Sequence, residues 1–488
     1  MTMPIVCTIA GSDVSGGAGI QSDLHTFHNL GVHGCSVVTA ITAQSLDNVS
    51  DIYYLPQAVL RAELQSLHQD VRAIKIGMLG NRQIIDVLAE FLDQYNGFVV
   101  LDPVLISSSG RNLYDGALSD YLDQLKQLFP AINLLTPNIR ETEAILGRSI
   151  ISHDDIKEAA HELLSFGINS VYIKGGHAIC ENSDDYWSNG DESFWLISKR
   201  YDNRNIHGTG CVLSSAIVSC VALGYHLKDA LVIAKMYVNR GIRCAEPKDT
   251  ATFFQHQLGW PEEEIDLPML NARPIDCHHN AFMRDDLFQV GLYPIVDSVE
   301  WLKRLLPLGI KCIQLRIKDI AGEELTSIIQ ESVVLAKQYR VILFINDYWQ
   351  LAIAYGADGV HLGQEDLHLA DVQAIQAAGL RLGISTHCYA EVARAHFYHP
   401  SYIACGPIFE TTSKLMSFAP QGVLALMRWR KTLSYPLVAI GGIGQKNIIK
   451  ILEANVDGIA LISAITKAEN PVLTTEQLIK MVNSYAAE

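Results

Sequence analysis

Residues 381–407, RLGISTHCYAEVARAHFYHPSYIACGP, read as strand, helix, strand: RLGIST (381–386) and YIACGP (402–407) are short apolar runs, and a helical pattern separates them. A strand that returns through a helix to a second strand is the unit of a parallel sheet. Working outward, the same unit recurs in LYPIVD (292–297), KCIQLRI (311–317), VILFIN (341–346), GVHLG (359–363), PLVAIGG (436–442) and GIALIS (458–463), with TTEQLIKMVNSYA as the closing helix. Eight such units in about 200 residues are the minimum for a closed (β/α)8 TIM barrel, whose functional residues belong at the C-terminal ends of the strands.

Upstream the grammar changes. IVCTIAG (5–11), CSVVTAIT (35–42), AIKIGML (73–79), FVVLDPV (98–104), INLLTP (132–137) and SVYIKGG (170–176) alternate with helical patterns such as RQIIDVLAEFLDQY and DDIKEAAHELLSFG. That alternation predicts an α/β, doubly wound and mostly parallel sheet with helices on both faces. A hairpin is expected at 186–202, then two helices in CVLSSAIVSCVALG and LKDALVIAKMYVNRGI. Residues 256–286 break the rhythm with Trp260-Pro-Glu-Glu-Glu264, Pro268, Pro274 and Cys277-His-His279, so the expected plan is a first domain at 1–258, a linker at 259–286 and a barrel domain at 287–488. Lacking a second cluster at ligand spacing nearby, the Cys-His-His triplet reads as linker rather than as a metal centre.

Hydrophobic residues make up 49% of the 488 and charged residues 18%, which suits a chain with large buried sheets. Lys and Arg number 37 against 53 Asp and Glu, a net charge of −16 without a run of five basic residues, so nucleic acid is not an expected partner. The absence of both a basic leader and a long apolar stretch argues against a membrane, and ten scattered cysteines without a CxxC argue for reduced thiols. The sequence therefore reads as cytoplasmic, acting on small molecules, with a homo-oligomer left open.

In KCIQLRIKD, Gln314, Arg316 and Lys318 fall two apart, so on a strand they share one face and converge in the barrel mouth. Asp347 follows the third strand and Asp366 the fourth; two carboxylates at adjacent strand ends are a natural Mg²⁺ pair, although each alone would serve as a helix cap. Ser385 and His387 end the fifth strand. Thr411, Ser413 and Lys414 follow the sixth, hydroxyls and an ammonium suited to phosphate. Gly441-Gly442 and Ile462-Ser463 end the last two strands, where barrels bind phosphate through backbone amides. Two anion sites in one mouth imply two phosphorylated substrates.

Taken in order, QLRIK, IND, DGVHLGQED, STH, GPIFETTSK, AIGGI and LISAI resemble thiamine phosphate synthase over residues 288–488. The resemblance implies that Gln314, Arg316, Lys318 and Asn346 hold a pyrimidine diphosphate and that Asp347 and Asp366 bind Mg²⁺. It further implies that Ser385 and Lys414 meet the pyrophosphate, Lys414 as a catalytic cation, and that Thr411, Ser413, Gly442, Ile462 and Ser463 hold the thiazole phosphate. Glu410 departs from the family, which has Pro there.

In the first domain, AGSDVSGGAGIQSD (10–23) is a glycine-rich turn that matches neither GxGxxG nor the P-loop. His207-Gly-Thr-Gly-Cys211 precedes a helix of small residues, so the amides of 208–211 can face an anion, and a thiol placed there is expected to titrate lower. A glycine-containing helix start with a buried cysteine is an equally open reading of that segment. Together with LDPV (101–104), TPNIRETE (136–143) and KGGH (174–177), these motifs resemble the hydroxymethylpyrimidine and phosphomethylpyrimidine kinases of the ribokinase-like fold. That resemblance implies ATP as co-substrate, the pyrimidine ring near Asp23, Gln44 and Met78, and phosphates near Gly208, Gly210, Asn138, Glu141 and Lys174. It places Cys211 where most ribokinase-like enzymes have a catalytic Asp. The two resemblances imply successive steps, double phosphorylation of the pyrimidine and then its coupling to thiazole phosphate. Two rivals remain at this point: a pyridoxal-type kinase fused to the synthase, and a catalytically dead thiazole- or thiamine-binding regulator.

Overall fold

The computed structural model describes every residue except 1–2, 45–47, 108–109, 177–181, 202–207, 246, 249–250, 253, 255, 257, 275–279, 285–286, 288–289, 411–418 and 486–488. The chain divides into two compact units, residues 1–261 with 265–276, and residues 262–264 with 277–488. No helix among the described residues is long and apolar enough to cross a membrane.

The first unit is built on strands β1 (Ile5–Asp13), β2 (His33–Gln44), β3 (Val49–Tyr54), β4 (Val71–Ile76), β5 (Phe98–Leu101), β6 (Leu134–Leu135), β7 (Val171–Ile173), β8 (Asn182–Ser188) and β9 (Ser193–Lys199), with a small ribbon of β10 (Pro247–Lys248) and β11 (Ala251–Thr252), and β12 (Met269–Asn271). The main sheet runs β12-β9-β8-β7-β6-β5-β4-β1-β2-β3. From β7 to β2 the neighbours are parallel; β3, β8, β9 and β12 are antiparallel additions. Val6, Cys7, Ile9 and Ala10 of β1 and Ala73, Ile74 and Ile76 of β4 are almost fully buried, as strands covered on both faces must be. The chain leaves β1 toward β2 on one side and returns through β4 on the other. That reversal of strand order opens a crevice at the C-terminal strand ends, where open α/β sheets bind ligands.

The expected hairpin is β8 and β9, while the edge strand β3 has no counterpart among the sequence-derived strands. Residues 259–286 also depart from expectation, because the middle of that stretch is built into the first unit. β12 pairs with β9, and the helix Leu227–Arg243 grips the segment before it: Arg240 donates to the carbonyls of Leu258 (3.0 Å) and Trp260 (2.7 Å), Asn239 to that of Asp266 (2.9 Å), and Arg243 to the Asp266 carboxylate (2.7 Å). A proline-rich, acidic composition suggested a tether; buried donors on a helix turn it into a strap.

The second unit is a closed parallel barrel of β13 (Gly291–Val296), β14 (Cys312–Leu315), β15 (Ile342–Asn346), β16 (Gly359–Leu362), β17 (Arg381–Thr386), β18 (Tyr402–Cys405), β19 (Leu437–Ile440) and β20 (Gly458–Leu461). Its interior is filled by Tyr293, Ile295, Cys312, Phe344, Tyr402, Ala404, Val438 and Ala460. The barrel is therefore a packed core, and only its mouth can host chemistry.

Candidate active sites

In the first unit the crevice gathers titratable side chains from five elements. Lys75 comes from β4, Asp23 from the helix Gly19–Asn29, Asp102 from the end of β5, Lys174 from just past β7 and Cys211 from the helix Thr209–Ala222. Lys174 Nζ lies 2.6 Å from Asp102 Oδ1 and 3.9 Å from Glu141 Oε2. Burial works against both lysine charges, yet Asp23 holds Lys75 above its usual range and Asp102 does the same for Lys174. Burial also raises the Glu141 carboxyl to about 7 against the pull of Lys174.

Asp23, expected beside the pyrimidine ring, is fully buried. Its carboxylate accepts from Thr8 Oγ1 (2.5 Å), Lys75 Nζ (2.8 Å) and Ser215 Oγ (2.7 Å). Two of these bonds fall on Oδ2 and one on Oδ1, so the carboxylate is fixed against Lys75. Gln44, half-buried, ends β2, and Met78 packs with Ala40 and Leu113 in a small apolar cluster. Asn138 and Glu141 form a capping box on the helix Ile139–Leu146, Asn138 Oδ1 accepting from Glu141 N (2.9 Å) and Glu141 Oε2 from Asn138 N (2.7 Å). That box presents Glu141 to Lys174.

Gly208, at φ +82°, brings the start of the Thr209–Ala222 helix against the glycine-rich turn so closely that a Cβ there would lie 1.9 Å from Gly17 O. Gly210 lets Lys174 approach, since a Cβ at that position would lie 3.1 Å from Nζ. The two glycine-containing motifs thus form one wall. Cys211 corrects the expectation of a low-titrating thiol: burial pushes it up to about 11, outweighing the opposing pull of Lys75. His207 lies outside the described residues.

In the barrel, Gln314 is buried and faces inward, but β14 ends at Leu315, so Arg316 and Lys318 belong to the loop beyond it, with Arg316 half-buried and Lys318 exposed. Asn346 is buried at the end of β15. Asp347 and Asp366 stand close enough to share a hydrogen bond, and burial followed by the Asp366 charge raises the Asp347 carboxyl to about 6, with Arg316 and Lys318 pulling the other way. No group of three or more metal-capable side chains occurs among the described residues. Gly442 (φ +66°) stands where a Cβ would be 2.4 Å from the Glu410 carbonyl, so the β19 loop packs directly on the loop after β18. Ile462 and Ser463 begin the short helix after β20. Thr411, Ser413 and Lys414 lie outside the described residues.

Sequence reasoning missed several residues on which these sites turn. Lys75 and Asp102 carried a signal: a lysine inside the apolar run AIKIGML, and the aspartate of LDPV directly after a strand. In the barrel, Tyr293, His361 and Tyr402 link Gln314 to Ser385. Gln314 Nε2 donates to Tyr293 OH (3.2 Å), Tyr293 OH lies 2.9 Å from Tyr402 OH, His361 Nδ1 lies 2.7 Å from Tyr402 OH, and His361 Nε2 lies 2.8 Å from Ser385 Oγ. Burial, reinforced by Arg316, lowers the His361 imidazolium to about 3, so the ring is neutral. The signal was faint, one polar tip per strand at inward positions of otherwise apolar runs.

Comparison with known proteins agrees with this division. A family model described as phosphomethylpyrimidine kinase matches residues 13–253, and one described as thiamine monophosphate synthase matches residues 292–465. The chain is 33% identical to a rice (Oryza sativa subsp. japonica) protein named "Probable thiamine biosynthetic bifunctional enzyme, chloroplastic", over 98% of this chain and 88% of that one. It is 53% identical to the thiamine-phosphate synthase of Photorhabdus laumondii over 40% of this chain and 90% of that protein. Among solved structures, the pyridoxal kinase of Staphylococcus aureus in complex with AMP-PCP and pyridoxal aligns with a TM-score of 0.50 at 29% identity, covering 56% of this chain and all of that one.

Proposed function

The chain belongs to the bifunctional thiamine biosynthetic enzymes, a phosphomethylpyrimidine kinase continued into a thiamine-phosphate synthase, and from that premise we propose how its residues divide the two reactions. In the first unit, 4-amino-5-hydroxymethyl-2-methylpyrimidine takes a phosphoryl group from ATP at its hydroxyl, and the monophosphate then takes a second. In the barrel, the diphosphate is coupled to thiazole phosphate and pyrophosphate leaves.

For the kinase, the ring lies over Met78 beside Gln44, and the phosphates face Lys174, the amides of Gly208 to Cys211 and the Asn138–Glu141 cap. Lys174, fixed by Asp102, meets the transferring group as a preset positive charge. Cys211 receives the hydroxyl proton on sulfur through its minor thiolate form, whose charge Lys75 and Lys174 favour. A loose phosphoryl-transfer transition state asks little of its base and much of its cations, which fits a thiol titrating near 11 between two lysines.

For the synthase, Asn346 and Gln314 hold the pyrimidine, while Arg316, Lys318, Ser385 and Lys414 address its diphosphate. Thr411, Ser413, Gly442, Ile462 and Ser463 take the thiazole phosphate. Asp347 and Asp366 fit a divalent cation, because two carboxylates pressed together hold uncompensated negative charge; Mg²⁺ bound there would stabilise charge on the departing pyrophosphate. The thiazole nitrogen brings its own lone pair and needs no base, so the protein's groups serve the leaving group. The observation that supports these assignments is that each described phosphate-facing residue of the barrel stands at, or one loop beyond, the C-terminal end of a strand.

Ten cysteines scattered along the chain without a CxxC support a reducing compartment, whether cytoplasm or the plastid named for the rice relative. To test the kinase half, ADP release is measured with the hydroxymethylpyrimidine and with pyridoxal as competing acceptors. Preference for the pyrimidine is expected, and preference for pyridoxal would replace this reading with that of a fused pyridoxal-type kinase.

A further inference from the structure

The five side chains joining Gln314 to Ser385 have a property that no pair of them has alone. Tyr293, Tyr402 and Gln314 are almost fully buried and His361 is 7% exposed, and each hydroxyl in the series has one proton to give. His361, with hydroxyls on both ring nitrogens and no carboxylate partner among the described residues, carries a single N–H. With each hydroxyl giving its proton to its neighbour along the series, it can be ordered in only two ways. In one, Gln314 Nε2 donates to Tyr293, Tyr293 to Tyr402, Tyr402 to His361 Nδ1, and His361 Nε2–H to Ser385 Oγ, leaving the serine proton available to the barrel mouth. In the other, Ser385 donates inward to Nε2, His361 Nδ1–H donates to Tyr402, Tyr402 to Tyr293, and Tyr293 to a flipped Gln314 carboxamide. The first order gives an anion at Ser385 a donor; the second gives it only lone pairs.

We propose that the chain Gln314–Tyr293–Tyr402–His361–Ser385 is a two-state polarity switch, set by the pyrimidine diphosphate into the order that makes Ser385 a donor to the leaving group. Tyr293, Tyr402 and His361 are then positioning residues for the synthase. The two ends respond to the same substrate. An exocyclic amine on the ring needs an acceptor, which Gln314 offers as Oε1 only when Nε2 is turned to Tyr293, and that same order frees the Ser385 proton. An oxo group in place of the amine would accept rather than donate, turn the carboxamide over and withdraw the serine proton. The chain thus lets the ring substituent, at one end, set the hydrogen bonding of the diphosphate at the other. This rests on the reading that Gln314 meets the ring and Ser385 the diphosphate.

The test uses the full-length chain labelled with ¹⁵N-histidine, the His361 resonances being assigned by their loss in His361→Gln. With Mg²⁺ and a non-cleavable methylene-bridged analogue of the pyrimidine diphosphate, His361 is expected as the Nε2–H tautomer. The Nδ1–H tautomer in that complex would overturn the proposal. In parallel, Tyr402→Phe and Ser385→Ala should each lower synthase kcat about 10- to 100-fold, the loss of one hydrogen bond to a charged group, with KM for thiazole phosphate within about 2-fold. The double variant should be no slower than Ser385→Ala, and an unchanged urea midpoint of the barrel unit, followed by its near-UV circular dichroism, serves as the folding control. Multiplying losses in the double variant would mean that Tyr402 does not act through Ser385. An unimpaired Ser385→Ala enzyme would instead overturn the underlying assignment of Ser385 to the diphosphate, whichever tautomer is seen.

Discussion

The two candidate sites arrange their charge by opposite means. The kinase site is a lattice of buried ion pairs: Lys75 on Asp23 at 2.8 Å, both fully buried, and Lys174 on Asp102 at 2.6 Å. The barrel keeps Arg316 and Lys318 outside its core, buries a neutral chain of amide, phenols and imidazole, and holds two carboxylates together with no buried cation beside them among the described residues. The difference follows from the sheets. An open sheet with a reversal of strand order presents several strand ends to one crevice, where lysines can be sunk beside carboxylates; a closed barrel packs its axis with side chains and offers charge only at the rim. One site is preset by charge, the other by hydrogen-bond direction.

The largest expected effect tests the kinase lattice at its reactive thiol. Cys211→Ala should lower kinase turnover about 10²–10⁴-fold while leaving the synthase rate on supplied pyrimidine diphosphate unchanged. Because Cys211 titrates near 11, the thiolate fraction climbs as pH rises, so kinase kcat/KM should increase between pH 7 and 9 in the parent enzyme and not in the variant. His361, held near 3, should give the synthase no corresponding step from a histidine between pH 5 and 8. A pH-independent kinase would remove the contrast.

Next comes Lys75→Met. It strands the Asp23 charge in the core, which should cost about 3–5 kcal/mol, read as a lower urea midpoint for the first unit while synthase activity persists. A midpoint unchanged by the substitution would mean that Asp23 does not depend on Lys75.

A smaller effect of opposite sign is expected in the barrel. Asp366→Asn removes the charge that helps raise Asp347, so in Mg²⁺-free buffer the Asp347 carboxyl should titrate lower and the melting temperature should rise, while synthase activity falls. The sign follows from linkage: a carboxyl titrating above its unfolded value is destabilising at neutral pH, and relieving the repulsion recovers stability there. If both stability and activity fell, the two carboxylates would be an ordinary hydrogen-bonded pair rather than a cation seat.

The smallest concerns the boundary. Residues 1–276 should behave as an independent kinase and 277–488 as an independent synthase, whereas 1–258 lacks β12 and the Asp266 contacts with Arg243 and should unfold at lower urea. Equal midpoints for 1–258 and 1–276 would restore the simple linker.

The barrel was legible because its strands are short, apolar and regularly spaced, whereas the Gln-x-Arg-x-Lys alternation outruns its strand, which ends at Leu315. The first sheet was legible for the same reason, except at its two edges: β12, hidden in the proline-rich stretch, and β3, whose VSDIYY alternates exposed and less exposed positions without a clean apolar face. What stayed hidden was pairing. Asp23 and Cys211 were placed at the kinase site by their motifs, but nothing local says that Lys75 neutralises the first or that burial governs the second. In the same way Tyr293, His361 and Tyr402 lie on three separate strands, and only closure of the barrel makes them one series.

Both reactions belong to this one chain. The measurement is formation of thiamine phosphate from the hydroxymethylpyrimidine, thiazole phosphate, ATP and Mg²⁺ with the purified chain as sole catalyst. Thiamine phosphate and pyrophosphate are expected in equal amounts with two ADP for each, and Cys211→Ala is expected to stop this sequence but not the reaction started from pyrimidine diphosphate. ADP without thiamine phosphate, together with no product from supplied pyrimidine diphosphate, would contradict it.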